Sequence, residues 1–151
     1  MSERAMAAGI GSVDVPVTDG SAADPVRDVV EIRLPAEGAY LSVLRTATAG
    51  LAARLDFTLD EIEDLRIAVD EACAMLLPDA VPGSELGCSF ELSTDAMKVT
   101  VSLATSSARL PERGTFAWTV LSALAGDVDA RVDDDSRVSI TLRKRRSGEA
   151  T

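Results

Sequence analysis

The sequence predicts an α/β fold in which helices cover one face of a mixed, largely antiparallel sheet. Three observations support this prediction. Short segments such as "DVVEIRL", residues 28–34, alternate apolar and polar side chains, which is typical of half-buried strands. Longer segments repeat apolar residues at helical spacing. Along the chain these segments give the order β-α-α-β-β-α-β-β with no internal repeat, so we expect one two-layer sandwich within the 151 residues.

The predicted domain begins with a strand and a helix. The strand covers residues 28–34, and Pro35 suits the end of a strand or the first turn of a helix. Over residues 38–54 apolar residues recur at helical spacing, which predicts helix one. The residues that recur at this spacing, and that we expect to face the core, are Tyr40, Leu41, Leu44, Thr48, Leu51 and Leu55.

The second helix begins with a capping signal. Thr58 and Glu61 have the spacing of a capping box, and further acids in the early turns favour the positive end of the helix dipole. Pro78 ends the helix, because proline cannot continue the backbone hydrogen bonds. The predicted core stripe is Ile62, Leu65, Val69, Ala72 and Leu76.

Two adjacent acids, Asp70 and Glu71, lie in the middle of this otherwise apolar helix. Asp70 is four residues after Arg66, so we expect an ion pair between them, worth about 0.2 to 0.5 kcal/mol on a helix surface. The residues alone allow Glu71 to be a surface carboxylate or a helix-stabilising acid.

A hairpin, a third helix and a second hairpin complete the predicted fold. The strands of the first hairpin are Glu85–Leu92 and residues 97–103. After a polar loop, residues 116–125 form helix three, which Gly126 ends as a C-cap. The last two strands flank a turn at residues 133–136, whose acids are expected to serve the turn rather than a calcium ion.

Four large or reactive side chains have a simple structural interpretation. Trp118 and Phe116 of helix three are expected to pack in the core or between helices, with anchoring of a partner as the alternative. Cys73 and Cys88 have neither zinc-site nor redox-pair spacing. We expect both cysteines as free thiols in the core.

Composition and charge exclude several classes of function. The chain contains no histidine, so it has no serine–histidine or cysteine–histidine nucleophile system and no histidine metal site. Its formal net charge of −10 argues against direct binding of nucleic acid, although an acidic protein can bind a basic one. The basic cluster at residues 143–146 is expected at the solvated end of the last strand.

The two ends of the chain are expected to lie outside the domain. Residues 1–27 are rich in Gly, Ser, Asp and Ala and lack the apolar run of a signal peptide, so we expect a flexible leader. Residues 28–145 form the predicted domain, and residues 146–151 form a tail. No apolar run approaches the roughly 20 residues that span a bilayer, so we expect a cytoplasmic protein without membrane contact.

The stretch "LDFTLDEIEDLRIAVDEA", residues 55–72, resembles the N-box region of the anti-sigma factor serine kinases of the RsbW and SpoIIAB type. These kinases belong to the GHKL, or Bergerat-fold, ATPase superfamily. Residues 114–144 resemble their last glycine-led helix and closing strands, and the order of elements agrees over residues 28–145. The resemblance therefore implies a Bergerat-like fold.

For function, the resemblance implies partner switching. Family members hold a sigma factor away from RNA polymerase and release it when they bind an anti-anti-sigma protein, and kinase-competent members phosphorylate a serine or threonine of that protein. Arg45 occupies the place of a helix-one arginine that members commonly use for partner contact, whereas the residues alone equally allow a solvated arginine. Members are commonly homodimers, so the resemblance also implies a homodimer.

The nucleotide motifs of the family are only partly retained. Glu71 falls on the N-box glutamate, which in active members orients or deprotonates the attacking hydroxyl, and Gly114 is what remains of the glycine-rich turn before helix three. Met75 replaces the asparagine that holds magnesium, and a thioether is a poor ligand for a hard cation. The loop before Gly114 is shorter than the usual ATP lid. The family also has Asp-x-Gly-x-Gly, whose aspartate reads the adenine amino group and whose glycines let the backbone approach the nucleotide. At these positions this sequence has Thr105, Ser107 and Arg109.

Three functions remain open on the sequence. The degraded motifs favour an anti-sigma factor with weak or no kinase activity and without a dedicated metal ligand. The alternative is an active serine-protein kinase that binds ATP and magnesium in a rewired site and phosphorylates its anti-anti-sigma partner. A third interpretation is a regulatory scaffold that does not contact a sigma factor.

Overall fold

The computed structural model describes residues 25–147, and the predicted order of elements is confirmed in this part. Residues 1–24 of the expected leader and residues 148–151 of the expected tail lie outside the described residues. Short 3-10 turns at Gly38–Tyr40 and Leu77–Asp79 precede α1 and follow α2. The elements are β1 (Asp28–Pro35), α1 (Leu41–Arg54), α2 (Leu59–Leu76), β2 (Glu85–Leu92), β3 (Ala96–Ala104), α3 (Phe116–Ala125), β4 (Asp127–Val132) and β5 (Arg137–Arg145).

The sheet has the strand order β1-β2-β3-β5-β4, and the four pairings between these strands are all antiparallel. Buried residues alternate along β2, β3 and β5, because one face of these strands meets the helices. The other face carries small polar side chains, such as Thr100 and Thr141, whose hydroxyl oxygens are 3.1 Å apart across β3 and β5. The expected two-layer fold with helices on one face is therefore confirmed.

The core lies between α2 and the central strands. Phe90 on β2 and Leu65 on α2 are fully buried, and the predicted stripe of α2 is confirmed, with Ile62 partly buried. The two cysteines are buried free thiols. Burial raises the pKa of Cys73 to about 12 and raises the pKa of Cys88 as well. Both thiols stay protonated near neutral pH, so they are poor nucleophiles.

Two expected core residues are exposed. Tyr40 is 41% exposed, because it belongs to the 3-10 turn and not to α1, which begins one residue later. Phe116 is 83% exposed, so its predicted packing is wrong. It is the first residue of α3, after the N-cap Thr115, and the helix turns only its later residues toward the sheet. Trp118 is buried as predicted, and the Arg113 guanidinium lies 4.6 Å from the centre of its ring.

The start of α2 is tied to the end of the chain that the structure describes. The predicted capping box is confirmed: the Thr58 hydroxyl accepts from the Glu61 amide at 3.1 Å, and Glu61 Oε1 accepts from the Thr58 amide at 2.8 Å. Glu61 Oε2 accepts from the Ser147 amide at 2.7 Å. Burial alone would raise the pKa of Glu61, but the hydrogen bonds from Ser147 and Thr58 outweigh it and lower the pKa to about 2.

We expect Glu61→Gln to lower the free energy of unfolding near pH 7 by about 1 kcal/mol, since the amide keeps the shape but offers one acceptor oxygen instead of two. The pKa of Glu61 is lower in the folded state, about 2 against an ordinary 4.5, so the contribution of the carboxylate is complete above pH 4.5 and is lost as the pH falls toward 2. Urea unfolding at a series of pH values should show that the difference in unfolding free energy between wild type and variant becomes smaller as the pH falls from 4.5 toward 2. Glu63→Gln, on the exposed side of the same helix, is the control. If the difference in the free energy of unfolding stays constant with pH, the stabilising role of the ionised Glu61 carboxylate is contradicted.

The basic cluster lies at the end of β5 as predicted, but part of it packs against the domain. Lys144 Nζ donates to the Leu124 carbonyl at 2.8 Å and lies 3.7 Å from a carboxylate oxygen of Asp64. The Arg146 amide donates to the Asp95 carbonyl at 2.6 Å. The Lys144 contacts connect β5 to α2 and α3, and the Arg146 contact connects the residue after β5 to the turn between β2 and β3. None of the helices within residues 25–147 is long and apolar enough to cross a membrane.

Candidate functional site

A cleft of about 410 Å³ opens between the C-terminal end of α2 and the segment that follows β3. Met75 and Leu76 of α2 form one wall together with Pro78 and Asp79 of the following 3-10 turn. The opposite wall consists of Thr105, Ser107, Arg109, Leu110, Pro111 and Glu112. The cleft therefore brings together all four positions at which the sequence departs from the nucleotide motifs.

The polar groups at the base of the cleft are bonded to the protein itself. Thr105, at the expected position of the adenine-binding aspartate, is 6% exposed. Its hydroxyl donates to the Ser136 carbonyl at 3.1 Å and accepts from the Ala108 amide at 3.0 Å. This hydroxyl stabilises the turn after β3, which leaves it little capacity to recognise a base.

Asp79 joins the two walls of the cleft, although no motif in the sequence pointed to it. One carboxylate oxygen of Asp79 accepts from the Ser107 amide at 3.2 Å and from the Ser107 hydroxyl. The Asp79 carbonyl accepts from the Ser106 amide at 2.9 Å. The sequence signal was an acid directly after Pro78, where the chain leaves a helix and its side chain is free to bond to a backbone amide.

The chemistry of the cleft offers few ligands for a hard cation. At position 75 the thioether of a half-buried methionine replaces an amide oxygen. The Asp79 carboxylate is bonded to Ser107, and Glu112 is exposed on the rim. Within residues 25–147 no group of three or more histidine, cysteine or acidic side chains is placed to hold a metal ion.

Two predicted site residues lie near the cleft without lining it. Glu71 is partly buried, one turn before Met75, and makes no hydrogen bond or ion pair with the described residues. Gly114 is exposed, its φ is not left-handed, and a Cβ placed on it would meet no atom within 4 Å. The backbone at Gly114 therefore does not itself require a glycine. The roles of these two residues in nucleotide binding stay predictions.

Arg45 makes its contact across the two helices. Its Nη1 donates to both carboxylate oxygens of Asp70, at 2.9 and 3.1 Å, and both side chains are 38% exposed. The predicted Asp70–Arg66 pair is wrong, because α1 packs beside α2 and presents a cation to Asp70 from outside its own helix. Arg66 instead donates to Glu63 Oε1 at 2.7 Å.

Comparison with known proteins gives a consistent set of relatives. No family model matches the chain. The chain is 36% identical over 124 residues to the anti-sigma-F factor RsbW of Mycobacterium tuberculosis, and the alignment covers 78% of this chain and 74% of that protein. It is 39% identical over 75 residues to the serine-protein kinase RsbW of Halalkalibacterium halodurans and 36% identical over 77 residues to that of Bacillus subtilis. With these two kinases the chain aligns over 46% and 48% of their length, about half.

A solved structure supports the fold independently. The chain is similar to a crystal structure of the RsbU and RsbW domains of a Mycobacterium tuberculosis protein, with a TM-score of 0.64 and 16% sequence identity. The superposition covers 82% of this chain and 34% of that two-domain chain. At this identity the similarity establishes the fold of the chain and nothing beyond it.

Proposed function

Since this chain belongs to the RsbW family of anti-sigma factors and serine-protein kinases, we propose that it sequesters a sigma factor of RNA polymerase and is released from it by an anti-anti-sigma protein. The observation that carries this proposal is the 36% identity to a protein named an anti-sigma-F factor, over about three quarters of both chains. A formal net charge of −10 also suits a basic, DNA-binding partner, because opposite charge speeds encounter. We propose that the protein acts in the cytoplasm, together with such a partner, and makes no direct contact with nucleic acid.

We further propose that kinase activity is weak or absent. The relatives named serine-protein kinases imply an ATP-binding ancestry, but the residues of the cleft do not fit magnesium-bound ATP. Met75 offers sulfur where the metal needs oxygen, and the Thr105 hydroxyl is bonded within the protein. The Asp79–Ser107 contact already joins the two walls between which a nucleotide would enter. These contacts support a protein-binding module over a catalyst.

The second candidate function is an active serine-protein kinase that phosphorylates its anti-anti-sigma partner. Glu71 favours it, because this residue retains the carboxylate of the family's catalytic position on the helix that leads to the cleft. If the protein is an active kinase, Glu71 and Gly114 would contact the ATP, which would bind together with magnesium. Phosphoryl transfer depends strongly on the positioning of the metal, so the loss of the oxygen ligand at Met75 weighs against it.

The binding function is tested by capture from the native cell. The full chain, purified with its partners, should retain a sigma factor, and the complex should dissociate when an anti-anti-sigma protein is added. If the chain repeatedly purifies without any sigma factor, the regulatory-scaffold interpretation takes the place of the proposal. We also propose that the free protein is a homodimer, as the resemblance implies. Light scattering at micromolar concentration tests this, and a monomer mass would refute it.

Calorimetry with magnesium and ATP separates the two candidate functions. We expect no saturable heat at millimolar ATP for the wild type, because the cleft lacks the metal ligand and the base-recognition group. Heat that saturates near one site per chain, and that changes in Glu71→Ala, would establish nucleotide binding and favour the kinase. The titration is repeated with the protein partner present, so that a site completed by the partner is also detected.

A further inference from the structure

We infer that Asp70 is a positioning residue for partner binding: it holds the Arg45 guanidinium in the orientation that meets a carboxylate of a protein partner. This inference deepens the proposed function and rests on it. The two adjacent acids of α2 differ in their surroundings: Asp70 is paired with Arg45 of α1, whereas Glu71 makes no hydrogen bond or ion pair with the described residues.

The geometry of the pair leaves one edge of the arginine available. Both oxygens of Asp70 accept from a single nitrogen of Arg45, Nη1, at 2.9 and 3.1 Å. Nε and Nη2 of Arg45 make no hydrogen bond within residues 25–147. These two nitrogens carry parallel N–H groups that match a carboxylate in a bidentate arrangement. The ion pair therefore occupies one end of the guanidinium and presents the other as a preformed site for an acidic group.

The two helices hold the pair in place. Leu44, next to Arg45, and Val69, next to Asp70, are each 1% exposed, so both backbones are fixed by the core. The ion pair itself is more than a third exposed, and exposed pairs contribute little to stability. Its main effect is to restrict a long, flexible side chain before binding, which reduces the ordering cost of association.

Charge attraction and positioning predict opposite changes in affinity when Asp70 is removed. Asp70 partly neutralises Arg45, so its removal would strengthen the attraction of Arg45 for an acidic partner if charge alone mattered. Positioning predicts weaker binding when Asp70 is removed. The sign of the change in affinity therefore decides between the two effects.

The test compares Asp70→Ala with Glu63→Ala, a matched control that removes one carboxylate from the same helix and also leaves an arginine without its partner. The probe is the sigma factor that copurifies with the wild-type chain. We expect Asp70→Ala to weaken its binding by about 3- to 10-fold, mainly through faster dissociation, and Glu63→Ala to leave the affinity within about twofold. Tighter or unchanged binding in Asp70→Ala would overturn the inference.

A double-mutant cycle shows whether Asp70 acts through Arg45. In the Arg45→Ala background, Asp70→Ala should have no further effect on affinity. If it weakens binding equally in both backgrounds, Asp70 contacts the partner directly, and its role as a positioning residue is refuted.

A measurement on the free protein separates this inference from the proposed function. Nitrogen-15 relaxation of the Arg45 Nε group should report an ordered side chain in the wild type and in Glu63→Ala, and a mobile one in Asp70→Ala. Equal mobility in all three proteins would refute positioning. If the wild type binds no sigma factor, the proposed function is wrong, while an ordered Arg45 in the same sample still supports its positioning by Asp70.

Discussion

Replacing Phe90 by alanine is expected to lower the free energy of unfolding by about 3 to 5 kcal/mol. Phe90 is a large, fully buried side chain on β2, which lies between β1 and β3, and it faces the helix layer. Its removal leaves a cavity that close-packed neighbours fill only in part, so the cost includes both lost burial and lost contacts. The loss is a large fraction of the whole stability of a typical domain, which is about 5 to 15 kcal/mol.

The matched control for this prediction is Phe116→Ala. It removes the same side chain from a position that is 83% exposed, so we expect a change in stability below about 0.5 kcal/mol. Urea unfolding followed by circular dichroism measures both variants. Should Phe90→Ala not fold at all, Phe90→Leu is expected to cost about 1 to 1.5 kcal/mol, because it retains much of the volume. Equal stability of the Phe90 and Phe116 variants would contradict the assignment of the buried face of the sheet.

Arg45→Ala is expected to weaken the binding of the sigma factor by about 2 kcal/mol, or roughly 30-fold in the dissociation constant. Arginine is enriched among interface residues that dominate affinity, because its planar fork binds carboxylates in two parallel hydrogen bonds. Arg45 suits this role, since it is half-exposed on a helix whose inner face is packed in the core.

Arg66→Ala is the control, because Arg66 is an arginine of similar exposure in an ion pair on the neighbouring helix. We would measure the affinity of both variants for the sigma factor and the thermal melting temperature of each free protein. The two measurements together distinguish the loss of a partner contact from the loss of the folded state. We expect both melting temperatures to stay close to that of the wild type, because exposed ion pairs contribute little to stability. If Arg45→Ala binds as tightly as Arg66→Ala, Arg45 is an ordinary solvated arginine, which was the alternative interpretation of the sequence.

The candidate site was accessible to sequence reasoning only in part. Met75, Thr105, Ser107 and Arg109 were recognised because they replace residues of known motifs, and the structure places them around one cleft. Asp79 was missed, since no motif includes it and its partner, Ser107, lies 28 residues later in the chain. The proposed loss of nucleotide binding now has a structural reason in addition to the missing ligands, because Asp79 and Ser107 bond across the cleft.

Local patterns in the sequence were sufficient to predict the order of the elements, the core stripe of α2, and the capping box of Thr58 and Glu61. These features depend on periodicity and on contacts between residues three or four apart, which a linear pattern contains. The long-range partners of the charged groups, in contrast, depend on how the elements pack against one another. Asp70 binds Arg45 from the adjacent helix instead of Arg66, and Glu61 binds Ser147 as well as its own helix. Such choices depend on which elements become neighbours, and local sequence carries no information about a cation or an amide that arrives from a distant part of the chain.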